Sequence, residues 1–285
     1  MHQKTTGKTE EKKIVPVQQE NAPDTVGTRP LVDNISPLSL DNKDLYHTLE
    51  SLNSMSALKV PQNSLVIIHI NIRSLTKNID QLHNLLSELD QQPDCIAISE
   101  TKLNLNSNLD LINLENYNFI HKNSLSCAGG CGLYIKKDLT FKTRQDVVLF
   151  DKTVESLWVD IEGENNTIIT LGTIYRHPNK NITDFTETLS NILSKLSNEK
   201  RKIYIMGDIN INILNYNSNK SIKNYMLTLK SFNFHNLIKY PTRITDKSST
   251  CIDHIMTNEK KFYNQERYIS RNNQRSPTSF LYYKK

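Results

Sequence analysis

Long apolar runs are missing from this chain of 285 residues, and so is an apolar N-terminal leader. A membrane helix needs about 20 consecutive apolar residues, and a secretory signal needs a shorter apolar core, whereas Met1–Lys13 is polar almost throughout. We therefore expect an intracellular protein, nuclear or cytoplasmic, with no membrane contact. Cysteine is also scarce. Four residues in a chain of this length without a leader indicate free thiols rather than a disulfide framework.

Hydrophobic residues make up only 37% of the chain, and they are sparsest at its two ends. Residues 1–62 are rich in Lys, Glu, Gln, Asn, Thr and Pro, a composition typical of a disordered or linker segment. The net charge of +5 resides in residues 259–285, where seven Lys or Arg stand against two Glu. We expect this basic tail to be poorly ordered, either solvated or bound nonspecifically to phosphate backbones. One folded domain is then predicted over residues 63–258.

The apolar run Leu65–Ile70 predicts a strand that is buried on both faces. Leucine and isoleucine then recur at helical spacing over Thr76–Asp90, which predicts an amphipathic helix, and Cys95–Ser99 predicts a second buried strand. A strand, a helix and a strand in this order indicate the start of a layered α/β fold. Two strand pairs, two more helices and a buried strand at Ile203–Met206 follow, which indicates a second sheet.

Four of these apolar strands are followed or closed by polar side chains, namely Asn71, Glu100, Tyr175, and Asp208 with Asn210. Gly207-Asp208-Ile209-Asn210 alone is compatible with an ordinary turn. Ligands of layered α/β sheets bind beyond the strand ends, however. Together these endings supply two carboxylates, two amides and a phenol, which indicates a chemical site.

Six motifs then resemble one known superfamily, in the same order along the chain. They are His69–Leu75, Ile98–Leu103, Gly129–Gly130 with Gly132–Ile135, Ile174–Pro178, Gly207–Asn210, and Pro241–Arg243 with Ile252–Ile255. Over residues 63–258 the chain resembles the endonuclease/exonuclease/phosphatase superfamily, and within it the apurinic-type endonuclease domain of LINE-like non-LTR retrotransposons. The resemblance implies a four-layer α/β sandwich, with two packed mixed β-sheets flanked by helices. It also implies Mg²⁺-dependent hydrolysis of a phosphodiester, by which one DNA strand is nicked.

The family pattern implies a role for each polar residue at the strand ends. Glu100 matches the metal ligand, with Asn71 beside it, and Mg²⁺ is usually held by one or two carboxylates plus substrate oxygens. Asp208 matches the residue that activates water, Asn210 the amide that positions the phosphate, and Tyr175 a phenol that reaches it. In-line attack of water on phosphorus requires a base, a cation and phosphate donors in any case.

The closing part of the family pattern is absent from this chain. The superfamily carries Ser-Asp-His on its final strand, and its histidine contacts the scissile phosphate. Residues 259–285 contain neither Asp nor His, so the last strand is predicted to be missing or altered. Asp253 matches the carboxylate that orients this histidine, and His254 should face the opposite way on the same strand. Arg176 is assigned to the substrate phosphate, with a surface ion pair as the alternative.

Three functional hypotheses remain open at this stage. The first is a retrotransposon-type DNA-nicking domain whose activity is reduced or absent without the final motif. The second is a non-catalytic remnant of the same fold that binds nucleic acid. The third is a phosphoesterase that acts on a small molecule, which the Pro241-Thr242-Arg243 and Ile252–Ile255 motifs disfavour. The oligomeric state, the DNA target sequence and a reverse-transcriptase partner are left open.

Overall fold

The computed structural model describes residues 46–47, 64–124, 126, 128–147, 154–163, 166–259, 267–269 and 278–284. For 46–47, 267–269 and 278–284 only the course of the backbone is described. The predicted disordered segment 1–62 lies outside these ranges apart from Tyr46–His47, so its disorder stays a prediction.

The described chain contains three α-helices, three short 3₁₀ helices and fifteen strands. The α-helices are α1 (Leu75–Ser87), α2 (Ile182–Ser197) and α3 (Lys220–Ser231), and the 3₁₀ helices span Leu109–Ile112, Gln145–Val147 and Ile213–Asn215. The strands are β1 (Tyr46–His47), β2 (Ser64–Asn71), β3 (Cys95–Ser99), β4 (Tyr117–Lys122), β5 (Cys131–Lys136), β6 (Phe141–Thr143), β7 (Val154–Glu162), β8 (Ile168–Arg176), β9 (Lys202–Asp208), β10 (His235–Asn236), β11 (Arg243–Thr245), β12 (Ser248–Thr250), β13 (Asp253–Thr257), β14 (Arg267–Ile269) and β15 (Thr278–Lys284).

These strands form two large mixed sheets and one hairpin. The first sheet has the strand order β1-β14-β15-β2-β3-β5-β4, and the second has the order β10-β13-β9-β8-β7-β6. Strands β11 and β12 pair separately as an antiparallel hairpin. The parallel pairs β2–β3 and β8–β9 are each joined through a helix, α1 in the first sheet and α2 in the second. The predicted strand-helix-strand unit at the start of the domain is therefore confirmed, and a second one of the same kind follows in the second sheet.

Alternation along β2 shows how the layers are built. Leu65 and Ile67 belong to the core between the two sheets, whereas Ile68 and Ile70 pack with the buried face of α1. Helices α2 and α3 bury their apolar faces on the other side of the second sheet, for example through Phe185. The order is helix, sheet, sheet, helix, and the predicted α/β sandwich is confirmed. Within the described part of the chain, every helix is too short or too polar to cross a membrane.

The first sheet extends beyond the predicted domain end at residue 258. Strand β15 lies antiparallel to β2 with Ser279 opposite His69, and β14 pairs with β15 on its outer side. The tail that we expected to be poorly ordered thus contributes two strands. The apolar and aromatic run Phe280-Leu281-Tyr282-Tyr283 was the available sequence signal, but the polar residues before it concealed it. The last strand was expected to be missing or altered, and the backbone of β15 agrees with an altered strand.

Candidate active site

Asn71 links the two sheets at the edge where their parallel strands end. It is the last residue of β2, and its amide nitrogen donates to Glu100 Oε1 at 2.9 Å and to Asp208 Oδ2 at 2.8 Å. Both acceptor oxygens contact the same nitrogen, so they lie within about 6 Å of each other. Three residues predicted from separate motifs therefore meet in one place.

A row of polar side chains crosses the second sheet at this edge. Strand register sets Glu155 opposite Tyr175, Tyr175 opposite Asp208, and Asp208 opposite Asp253. Directly opposed residues in neighbouring strands project from the same face of a sheet. Asn71 reaches Asp208 from the first sheet, so this is the face turned toward that sheet. One row thus carries three carboxylates and a phenol beside the strand ends.

The two aspartates of the row are held in an environment that disfavours their charge. Asp208 and Asp253 are both 2% exposed. Burial, together with the charges of Asp253 and Glu100, raises the pKa of Asp208 well above its ordinary value. Burial and the Glu100 charge raise the pKa of Asp253 to about 7. Neither carboxylate oxygen of Asp253 has a hydrogen-bond partner in the described part of the chain.

We expect the protein, in EDTA, to unfold more easily at about pH 8 than at about pH 5. A carboxyl whose folded pKa is raised stabilises the fold below its unfolded pKa of about 4, and this stability is lost as pH rises through the folded pKa. For Asp253 the free energy of unfolding should fall by roughly 2–3 kcal/mol over that interval. Thermal or urea unfolding measures the change. In Asp253→Asn the fall should be smaller by about this amount, with the contribution of Asp208 remaining, and an equal fall in that variant would contradict the assignment.

Close packing at Gly207 brings β9 against β8 just before the turn that follows β9. A Cβ there would overlap the carbonyl group of Ile174 on β8, so only glycine allows the two strands to lie this close. Asn210 follows in a left-handed conformation with φ 52°. Its backbone N–H donates to Asp208 Oδ1 at 3.2 Å, and its side-chain amide donates to the Arg176 carbonyl at 2.8 Å. Gly207 thus lies inside the strand, and Asn210 is anchored beside the carboxylate of Asp208.

Arg176 does not lie where a phosphate contact would be. It is 1% exposed, and its guanidinium donates to the carbonyls of Ile209 and Asn210 at 3.3 Å and to that of Lys180. It also lies over the Phe185 ring of α2, on the helix side of the sheet. Neighbouring residues of a strand face opposite ways, so Arg176 points away from Tyr175. This position contradicts the predicted phosphate role and assigns Arg176 to support of the Asn210 turn.

Tyr175 faces the acidic residues, as its place in the row requires. It is buried, and burial followed by the charges of Glu100, Asp208 and Glu155 raises the pKa of its phenol. The phenol is therefore protonated at neutral pH and able to donate a hydrogen bond. A donor beside two carboxylates suits a site that binds an anion, which is the role the sequence predicted.

Asp253 is surrounded by groups whose importance the sequence did not reveal. Its backbone N–H donates to Thr242 Oγ1 at 3.1 Å, which explains the Pro-Thr-Arg motif as a structural tie. His69 Nδ1 lies 4.0 Å from Asp253 Oδ1, and its Nε2 lies 3.0 Å from Ser99 Oγ. Burial and the charge of His254 lower the pKa of His69 to about 3, so this contact involves a neutral imidazole.

His254 faces away from Asp253, as strand alternation predicts. Its Nδ1 lies 2.9 Å from the Tyr225 hydroxyl of α3, and its Nε2 lies 3.0 Å from the Ile211 carbonyl. The expectation that His254 faces away from Asp253 is therefore confirmed.

Glu155 and His177 are the residues of this region that sequence reasoning missed. The Glu155 carboxylate has no exposed surface, and it accepts from His177 Nε2 at 3.1 Å and from the Gly130 N–H. A buried acid near the start of an otherwise apolar strand was the available signal. The Gly129-Gly130 pair, to which the sequence assigned no contact, leaves the room that Glu155 needs, because a Cβ at Gly129 would overlap its carboxylate.

The donor set around Asn71 fits a hard divalent cation. The Asn71 Oδ1 oxygen is buried without a hydrogen-bond partner in the described part of the chain, and Glu100 is a partly exposed carboxylate beside it. Mg²⁺ prefers such oxygens and usually keeps several waters or substrate oxygens. No group of three or more His, Cys, Asp or Glu with metal-binding geometry occurs among the described residues. The fit therefore rests on one carboxylate and one amide oxygen.

A family model for the endonuclease/exonuclease/phosphatase family matches residues 68–271. Comparison with curated proteins gave no match. Comparison with solved structures gave many matches of low sequence identity that share the fold.

Three of these structures illustrate the likeness. The endonuclease domain of TRAS1, a telomere-specific non-LTR retrotransposon, has a TM-score of 0.60 at 14% identity, over 78% of this chain and 98% of that one. The AP endonuclease LMAP of Leishmania major has a TM-score of 0.64 at 14% identity, over 79% and 89%. The 3'-5' exonuclease NExo of Neisseria meningitidis has a TM-score of 0.57 at 12% identity, over 77% and 100%.

Proposed function

This chain belongs to the endonuclease/exonuclease/phosphatase family, and we propose that it is a DNA-nicking endonuclease domain that hydrolyses phosphodiesters with Mg²⁺ at a reduced rate. The observation that carries the proposal is the bridge from Asn71 to Glu100 and Asp208. Through this bridge, the oxygen atoms that suit a metal ion lie within a few ångströms of Asp208, a carboxylate whose pKa is raised. The structural likeness to the TRAS1 endonuclease domain supports the retrotransposon branch.

Each residue around the bridge has a chemical task in this proposal. Glu100 and Asn71 would hold Mg²⁺, which when bound supplies positive charge for the phosphate oxygens. Asp208 accepts the proton of the attacking water, because a carboxylate whose pKa is raised is a stronger base than an ordinary one. The Tyr175 phenol and the second amide hydrogen of Asn210 donate to the phosphate.

Cationic side chains at the rim suit a DNA backbone as the partner. The charges of Arg73 and Arg243 act on Asp253, and that of Arg243 also acts on Asp208, so both guanidinium groups lie close to the acidic row. Arg243 is exposed at the start of the β11–β12 hairpin. Positive charge beside the site attracts phosphate and keeps it near the carboxylates.

The reduced rate follows from what this chain has in place of Ser-Asp-His. The two residues before β15 and its first residue are Ser276-Pro277-Thr278, so the serine is present and the acid and imidazole are not. Loss of one preorganised donor around a transition state typically costs about 10² to 10³ in rate. Neither oxygen of Asp253 has a hydrogen-bond partner among the described residues, which also favours a second candidate, a remnant of this fold that binds nucleic acid without cleaving it.

Nicking of supercoiled plasmid tests the proposal. We expect the full chain to form open-circular DNA very slowly in Mg²⁺, near the limit of detection, and not at all in EDTA. A small phosphomonoester serves as the competing substrate. Rapid release of phosphate from it, without plasmid nicking, would favour the small-molecule phosphoesterase. If the protein binds DNA but does not nick it, even after Asp and His are introduced at positions 277 and 278, the non-catalytic remnant is favoured.

A further inference from the structure

The residue after Arg176 turns back toward the acidic row. Tyr175 faces the first sheet and Arg176 faces α2, so the next position returns to the Tyr175 side. The rings of Tyr175 and His177 pack edge to face with their centroids 4.9 Å apart. His177 is thus the first basic side chain on the Tyr175 side after β8. The His177 side chain is 12% exposed, so it reaches the surface there.

Glu155, a fully buried acid, contacts the His177 ring. Glu155 Oε1 lies 3.1 Å from His177 Nε2, and the other carboxylate oxygen accepts the Gly130 N–H. Gly130 and Gly129 in turn bond through their carbonyls to the backbone N–H groups of Thr101 and Lys102, which directly follow Glu100. A continuous set of hydrogen bonds therefore relates the position of His177 to the loop that carries Glu100.

We propose that His177 binds a phosphate of the nucleic-acid backbone beside the hydrolysed bond, with Glu155 as its positioning residue. This inference rests on the proposed function and assigns to His177 the role that the buried Arg176 cannot play. A carboxylate oxygen only accepts hydrogen bonds, so Nε2 carries a hydrogen in the Glu155 pair. The second ring nitrogen, Nδ1, then donates to a phosphate oxygen in the imidazolium form.

Charged and titratable groups lie near His177 on several elements. Glu155 of β7 contacts it directly, and Tyr175 of β8 packs against its ring. The charges of Glu100 and Asp208 act on the Tyr175 phenol. A basic side chain at this end of an otherwise acidic row suits the binding of an anionic substrate.

Fluorescence anisotropy with a labelled DNA duplex in EDTA tests the inference, using the full chain throughout. His177→Gln should weaken binding about fivefold and lower the slope of log affinity against log salt by about 1, because one phosphate contact is lost. His177→Lys should restore the slope. Glu155→Gln should also weaken binding, although it removes a negative charge, because His177 loses its positioning partner.

His235→Gln is the matched control. His235 is exposed on β10 and lies opposite Thr257, at the end of β13 remote from Asp253. We expect this variant to bind like the natural chain. Equal affinity and equal salt slope for His177→Gln and the natural chain would overturn the inference alone, whereas absence of DNA binding by the natural chain would overturn the proposed function as well.

Discussion

A chain in which Pro277 and Thr278 are replaced by Asp and His is expected to nick supercoiled plasmid at least about 100-fold faster than the natural chain. The superfamily carries Ser-Asp-His on its final strand, and this chain has Ser276 followed by Pro277 and Thr278, where β15 begins. The two substitutions complete the motif without lengthening the chain. They add an imidazole for the phosphate and an acid beside it.

The register of β15 places the beginning of this strand near the site. Ser279 lies opposite His69 on β2, and His69 Nδ1 is 4.0 Å from Asp253 Oδ1. The beginning of β15 and the buried Asp253 carboxylate therefore belong to the same part of the cleft. Asp253 has no hydrogen-bond partner for either oxygen among the described residues.

The reversed pair, Pro277→His with Thr278→Asp, is the matched control. It has the same composition and charge but a different order, so a general effect of added charge would accelerate both variants equally. We expect only the Asp-His order to accelerate nicking. If neither order does so, while both proteins unfold cooperatively and bind DNA, the chain is a non-catalytic remnant.

In this repaired chain, Asp208→Ala is expected to lower the nicking rate by about a thousandfold or more, to the limit of detection. General base catalysis contributes typically about 10² to 10⁴ in rate, and Asp208 is also the acceptor that holds Asn71 at the bridge. Quantified open-circular product over a time course in Mg²⁺ measures the loss. Undiminished nicking by this variant would show that the reaction occurs at another site.

Stability separates this loss from a loss of fold. A buried carboxyl with a raised pKa costs stability when it is charged, so Asp208→Ala should unfold at the same temperature as its parent or higher at about pH 8. Asp80→Ala provides the control, because Asp80 is an exposed acid on α1, the helix on the outer face of the first sheet. It should nick at the parent rate.

Local patterns were enough to predict most of the described elements and three residues of the site. Period-two and period-3.6 patterns depend only on neighbours in the chain, and they predicted β2, α1, β3 and β9. A polar residue at the end of a buried strand is equally local, and in parallel strands such residues gather at one edge. Asn71, Glu100 and Asp208 could therefore be placed together before the fold was known, and the hydrogen bonds of Asn71 agree.

The tertiary structure alone decided which polar residues face the site and where the first sheet ends. Arg176 and His177 are adjacent and both basic in character, yet one is buried against α2 and the other packs on Tyr175. Glu155 resembles any strand-start acid until Gly130 approaches it from the other sheet. Strand β15 is recognisable only through its pairing with β2, more than two hundred positions earlier in the chain. Each of these outcomes depends on strand register and on contacts between distant segments, which no local periodicity encodes.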